Sequence, residues 1–147
     1  MNKNKIKGCT TELKVMAAFV ERGYSVSTPY GDCEQYDFIV DMKGKLLRVQ
    51  CKTAVSRDNG RSIDIDFRRK DWTSQGKSKH AYYGSDRVDI AATFFGSKVY
   101  CIPTDEIVGK ITLRFVPPKT GQKTGFNRAS DYEIDKIIKR IEEKTNA

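Results

Sequence analysis

Residues 46–52 read Leu-Leu-Arg-Val-Gln-Cys-Lys. In an extended strand, Leu47, Val49 and Cys51 share one face and Arg48, Gln50 and Lys52 share the other. The apolar set packs on a helix, and the polar set faces water or a cleft. Asp37 precedes the apolar run Phe38-Ile39-Val40, one hairpin away. A carboxylate beside a strand that otherwise reads as core is a partly buried acid in need of a cation. Glu12 lies one and two turns from Met16 and Phe19, on the side that a helix would bury, and has the same need. Two acids and an amide offer oxygen donors to a hard divalent cation, and a lysine offers positive charge to a phosphate beside it.

Each piece alone has a plainer reading. Arg48, Gln50 and Lys52 are also what the solvated face of an edge strand looks like. Asp37 also reads as a turn residue, and Glu12 as an acid favoured by the helix dipole. Their order along the chain, a helical Glu, an Asp 25 residues on, then Gln-x-Lys after a hairpin, is what makes them a set.

The charge distribution agrees with that chemistry. The 147 residues carry 27 Lys and Arg against 19 Asp and Glu, a net charge of +8. Residues 43–80 hold eleven bases and four acids, residues 110–128 five bases and no acid, and residues 23–42 four acids and no base. Cations for phosphates around an acidic enclave for a metal fit an enzyme acting on nucleic acid. The same lysines would also serve a protein that is merely kept soluble by them. No apolar run approaches the roughly 20 residues needed to span a bilayer. The basic start, Met-Asn-Lys-Asn-Lys-Ile-Lys, lacks a following apolar segment, so the expected location is the cytoplasm, on the nucleoid when DNA is bound. Cys9, Cys33, Cys51 and Cys101 show no zinc spacing and read as reduced core residues. His80 reads as exposed in a polar loop and, without a nucleophile motif, not as a catalytic base.

The elements that must position the set follow from periodicity. Residues 5–22 read as a helix, with Cys9, Leu13, Met16 and Val20 on one stripe, Val15 and Phe19 on an adjoining one, and Gly23 as the stop. Strands are predicted at 24–28, 36–41, 46–53, 63–67, 88–95, 99–102 and 111–116, with a hairpin at Gly44. The nearly all-apolar stretch 88–95 is a strand buried on both faces. Residues 73–87 and 117–128 read as basic loops, and Ser130-Asp131-Tyr132-Glu133 as a capping box opening a C-terminal helix with Ile134, Ile137, Ile138 and Ile141 on one face. The fold class is α/β, a mixed central sheet flanked by helices, in one domain over 1–147.

Glu12, Tyr36-Asp37 and Arg48-Val49-Gln50-Cys51-Lys52-Thr53-Ala54 resemble the PD-(D/E)xK nuclease superfamily, most closely its small group I intron homing endonuclease branch. The resemblance covers residues 5–54 well, with a further familiar strand at 99–103. It implies a restriction-endonuclease-like core and a Mg²⁺-dependent endonuclease, with Mn²⁺ able to substitute, cutting double-stranded DNA. Where the superfamily usually has Asp or Glu two residues before the Lys, this chain has Gln50, an uncharged oxygen donor.

Phosphodiester hydrolysis needs charge neutralisation and an aligned water. Asp37, the Gln50 amide oxygen and the Cys51 carbonyl would be the metal ligands. Lys52 would orient or help deprotonate the water, and Glu12 would stand in the outer shell. Arg57, Arg61, Lys77, Lys79, Lys119 and Lys123 are the candidate phosphate contacts. The alternatives are a Holliday-junction-resolvase-like, structure-selective nuclease and a catalytically silent DNA-binding module. One site cuts one strand, so a double-strand break implies a homodimer or a dimer of dimers.

Overall fold

The computed structural model describes residues 2–72, 78–82 and 85–146; of residues 69–72 and 78–82 it describes the backbone. In chain order the elements are α1 (Lys3–Glu21), β1 (Ser25–Ser27), β2 (Phe38–Met42), β3 (Lys45–Cys51), β4 (Val55–Arg57), β5 (Ser62–Asp66), β6 (Arg68–Trp72), β7 (Ser78–Tyr82), β8 (Ile90–Phe95), β9 (Lys98–Pro103), β10 (Lys110–Arg114), β11 (Asn127–Arg128) and α2 (Ile134–Thr145). Among the described residues, no helix is long and apolar enough to cross a membrane.

A five-stranded sheet runs in the order β1-β2-β3-β8-β9, parallel only between β3 and β8. The β2–β3 hairpin turns on Lys43 and Gly44, both at positive φ (55° and 94°), the primed turn whose twist matches the strands. Asp41 Oδ1 accepts the Gly44 N–H at 2.7 Å and fixes that turn. The resulting register sets Phe38 opposite Val49. A slip of one residue would turn every side chain of β3 to the wrong face. One face of the sheet packs on both helices through Val15, Phe19, Phe38, Val40, Val49, Ile90 and Ile137. The other packs on a second sheet, β11-β10-β5-β4, through Ala91, Ile102, Ile63, Ile65 and Leu113. Ala91 and Ala92 are both fully buried, so the apolar run of β8 is enclosed on both sides.

Helix α1 buries the stripe of Thr11, Val15, Ala18 and Phe19. Of the other apolar stripe, Met16 packs against the margin of the core, while Leu13 (62% exposed), Val20 (55%) and Cys9 face outward. A 3.6-residue period permits either face. Small Ala18 lets the helix close on the sheet, where Phe19 meets the Phe38 ring edge-on at 6.2 Å between centroids. Of the four cysteines, all free thiols, only Cys101 is fully buried, and burial pushes its thiol up to about 12. Cys9 and Cys33 are exposed, contrary to expectation. Within the expected loop 73–87, residues 78–82 form β7, paired antiparallel with β6 from Arg68↔Tyr82 to Trp72↔Ser78. Polar Ser-Lys-His-Ala-Tyr shows no hydrophobic alternation, so only cross-strand pairing reveals the strand. The capping box does not form. Residues Ala129–Tyr132 make a 3₁₀ turn, and Glu133 at the start of α2 gives its carboxylate to Lys98 at 2.8 Å instead. The isoleucines of α2 pack on the central sheet.

Arg48 departs most from its expected place on a solvated or cleft-facing row. Its Nε and Nη2 grip the Asp89 carboxylate at 2.9 and 3.0 Å, and its Nη1 and Nη2 hold the Asp86 and Ser85 carbonyls. Asp89 Oδ2 also accepts the Arg48 N–H at 2.8 Å, and the Asp89 N–H is given to the Arg48 carbonyl. This half-buried clamp locks the entry of β8 to β3. Burial pushes the Asp89 carboxyl up, but the Arg48 hydrogen bonds and charge outweigh burial and hold it below its ordinary value. A depressed folded-state pKa stabilises above the unfolded pKa and ceases to do so as pH falls through the folded value. Asp89→Asn is therefore expected to cost about 2 kcal/mol at pH 7. The difference from wild type should shrink steadily below about pH 4. Urea unfolding of both proteins at pH 7 and pH 3 checks this, and an equal cost at both pH values would contradict it.

Candidate active site

β2 stops two residues short of the end of β3, leaving Gln50 and Cys51 without a β2 partner. The Asp37 N–H reaches the Val49 carbonyl at 2.8 Å, and Phe38 opposite Val49 is the first residue of β2. Beyond that rung, the edge of β3 has no strand beside it. The next N–H on that edge, that of Cys51, goes to the Asp37 side chain, with Oδ2 accepting at 2.7 Å. Asp37 thus takes with its carboxylate the hydrogen bond that a longer β2 would have taken with its backbone. Alternation of main-chain groups turns the Cys51 carbonyl to the same open edge. The opposite edge is held by β8, with Gln50 in register with Ala91, Cys51 with Ala92, and the Lys52 N–H on the Ala92 carbonyl at 2.9 Å.

Burial pushes the Asp37 carboxyl above its ordinary value, while the Cys51 N–H and the Lys52 charge pull it down less strongly. Glu12, at the margin of the buried stripe of α1, is pushed up by burial and then by the Asp37 charge. The Cys51 thiol is pushed up by burial, with the Asp37 and Glu12 charges adding to it. The fold therefore brings Glu12, Cys51 and Lys52 within electrostatic reach of Asp37, although they come from helix α1, the end of β3 and the residues that flank β2 and β3. Gln50 lies between Val49 and Cys51 and points to the opposite face of β3 from both. Its amide has no hydrogen-bond partner among the described residues. A groove of about 350 Å³ opens beside Glu12 and Asp37, with Thr28, Pro29, Asp32 and Glu34 on its walls.

Two neighbouring carboxylates, both made harder to ionise by burial, are stabilised by a cation. The oxygen donors at hand are the Asp37 carboxylate, the Gln50 amide and the Cys51 carbonyl, a hard set suited to Mg²⁺ or Mn²⁺. No group of three His, Cys, Asp or Glu able to hold a metal ion occurs among the described residues. Glutamine in place of a carboxylate at position 50 is consistent with that shortage.

The basic candidates divide. Arg57 Nε bonds Asp64 at 3.2 Å, a carboxylate also met by Lys110 and Thr112, so its charge is already partnered. Arg61 and Lys123 are exposed, and Lys119 is exposed with Asp58 at 4.0 Å. Lys77 and the side chains of Lys79 and His80 lie outside the described residues. Sequence reasoning passed over Asp89, although a lone acid at the head of an apolar strand is the same signal that singled out Asp37. It also passed over Gln35, whose Oε1 is buried without a partner two residues before Asp37. Nothing in the sequence around Gln35 distinguishes it from a loop residue.

A family model described as PD-(D/E)XK endonuclease matches residues 2–135, extending the resemblance seen at 5–54 to nearly the whole chain. Protein 5.3 of Escherichia phage T7 is 27% identical over 115 residues, covering 77% of this chain and 91% of that protein. The structure of a bacterial homing endonuclease, I-Ssp6803I, aligns over 98% of this chain and 99% of its own, with a TM-score of 0.75 and 21% identity, a likeness of fold. The matched span takes in the helical glutamate, the aspartate at the head of β2 and the Gln-x-Lys of β3: the chain belongs to the PD-(D/E)XK endonuclease family.

Proposed function

We propose that this endonuclease hydrolyses double-stranded DNA with the help of a divalent cation, and that it is sequence-specific in the manner of a homing enzyme. The observation that carries the reading is the Asp37 carboxylate on the open edge of β3, with Lys52 and Glu12 beside it and the Gln50 amide unpartnered. Asp37 spends Oδ2 on the Cys51 N–H, which orients the carboxylate and leaves Oδ1 for a ligand. Asp37, Gln50 and the Cys51 carbonyl would hold the cation. When bound, Mg²⁺ or Mn²⁺ supplies Lewis-acid neutralisation of charge on the phosphate. The Lys52 ammonium would steady the phosphate and orient the attacking water, and Glu12 would hold a water from the helix side. Arg61, Lys119 and Lys123 offer exposed positive charge for the DNA backbone, and affinity through them falls with salt. The likeness of fold to a homing endonuclease supports the sequence-specific reading.

A second reading has its own observation. With Gln50 standing where a carboxylate is usual, the same fold would serve as a silent DNA-binding module. Supercoiled plasmid incubated with Mg²⁺ or Mn²⁺ separates the two, since only the enzyme linearises or nicks it. Asp37→Ala and Lys52→Ala should each lower the cleavage rate by at least about a hundredfold while leaving DNA affinity within about threefold. Undiminished cutting by either purified variant would overturn the site. Gln50→Ala should lose activity, and Gln50→Glu should retain some with a changed preference between Mg²⁺ and Mn²⁺. Full activity in Gln50→Ala would show that the side chain is no ligand.

Cutting both strands at a fixed spacing calls for two sites, so the proposed assembly is a homodimer or a dimer of dimers. The α2 isoleucines are occupied by the protein's own sheet; the apolar side chains left exposed on α1 are Ile6, Leu13 and Val20. Sedimentation at micromolar concentration should give at least twice 16.7 kDa. A monomer both free and on DNA would leave a nicking enzyme or a silent binder.

A further inference from the structure

On the far side of β8 from the acidic site, the β8–β9 turn, the end of β10 and residues 126–133 line an open pocket of about 740 Å³. Four aromatic rings, Phe95, Tyr100, Phe115 and Phe126, are among its lining. Phe115 stacks on Phe95 with ring centroids 5.7 Å apart and planes at 20°, and meets the Tyr100 ring at 6.0 Å and 65°. Phe115 nevertheless remains 38% exposed, and Phe126 is half-buried on the same pocket. Three cations line it. Two are already met: Lys98 by Glu133 at 2.8 Å, and Arg114 by Asp58 at 3.1 Å. Arg128 is different. Its guanidinium lies over the Phe126 ring, 5.5 Å from the centroid, and its Nη2 donates to the Lys123 carbonyl at 3.3 Å. No carboxylate meets it among the described residues.

We propose that this pocket binds an unpaired nucleotide of the DNA strand, its base against Phe115 and Phe126 and its phosphate on Arg128. The inference rests on the nuclease reading and adds to it a preference for DNA with an unstacked or single-stranded nucleotide near the cut. A ring stacks on the face of a base only when that base has left the duplex stack, and ring-on-base stacking accepts any base. The unmatched guanidinium calls for an anion, and Arg presents a planar fork suited to phosphate. An apolar peptide or a second copy's apolar side chain would leave that charge unmet. The volume falls within the range of small-ligand sites. Position favours the substrate strand as the source. β3 and β8 run parallel, Ala92 is in register with Cys51, and Phe95 comes three residues later. At 3.3 Å per residue the pocket begins about 10 Å beyond the level of the acidic site. That is about three base-pair rises along a strand.

The test uses no divalent ion, so cleavage plays no part. Proton NMR of the full chain is titrated with thymidine 5′-monophosphate, then with thymidine. The nucleotide should shift the ring signals of Phe115 and Phe126, and the nucleoside should do so with weaker affinity. Arg128→Ala and Phe126→Ala should each weaken nucleotide binding about five- to tenfold, and Phe126→Trp should restore it. Both positions are surface-accessible, and unchanged far-ultraviolet circular dichroism would show that the variants fold. In a second arm, a duplex with a three-nucleotide unpaired tail should bind more tightly than the blunt duplex, and Phe126→Ala should erase the difference. Absent ring shifts, shifts undiminished in both variants, or equal weakening of tailed and blunt DNA would overturn the proposal. Uncut plasmid in the separate assay with Mg²⁺ or Mn²⁺, alongside intact ring shifts here, would count against the nuclease reading and not against the pocket.

Discussion

A carboxylate standing in for a missing strand residue sets the geometry of this protein. β3 outruns β2 by Gln50 and Cys51, and a bare N–H on a half-buried strand edge costs about as much as a lost hydrogen bond. Asp37 satisfies it at 2.7 Å. To do so its side chain must turn in toward the sheet, where burial resists its ionisation. The backbone is content and the carboxylate is not, and that imbalance is what makes the position suitable for a cation. Everything upstream serves to place this one contact. The primed turn at Lys43-Gly44 sets the β2–β3 register, the register puts Asp37 at the end of β2, and Phe19 against Phe38 holds α1 where Glu12 can reach the same enclosure.

The other edge of β3 has to be rigid for the first to be open. A strand that loses its neighbour on one side twists freely unless the remaining side is firm. Here the firmness comes from β8, the only parallel partner in the central sheet, which covers residues 49–51 and is clamped below them by Arg48 on Asp89. Parallel pairing is slightly weaker per residue than antiparallel pairing. A bidentate ion pair at its entry and burial of Ala91 and Ala92 on both faces compensate. Arg48 and Lys52 thus alternate on one strand yet do different work, the first tying the sheet together and the second standing beside the buried acid.

Much of this was legible before any coordinates, and what was not has identifiable causes. The α/β class, the hairpin and the buried run at 88–95 are local signals, since period-2 alternation and a Gly turn survive any tertiary context. That Glu12, Cys51 and Lys52 gather around Asp37 is legible because acids inside apolar stretches break a pattern. Where two outcomes shared one local pattern, the reading failed. Helix α1 carries two apolar stripes, and only the shape of the sheet decides between Phe19 and Leu13. Arg48 belongs to the same polar row as Gln50 and Lys52, and its partner lies 41 residues away. β7 has a polar sequence whose strand state comes from β6. The capping box lost its glutamate to Lys98, a neighbour that no local window contains.

Glutamine at position 50 then becomes a physical trade rather than a defect. A third carboxylate at this site would add a like charge to two acids that burial already presses toward protonation, Glu12 with the Asp37 charge adding to it. An amide keeps an oxygen donor and removes that repulsion, which favours the folded chain in the absence of metal. With Gln50 as a ligand, as proposed, the cost would fall on cation affinity, because the donor set would carry one fewer negative charge. A phosphate oxygen would supply the charge that the protein omits. On the proposed reading, cation and DNA are therefore held best together, and the site is least competent when no substrate is present. That coupling suits a nuclease whose substrate shares its compartment with a great excess of DNA that must stay uncut.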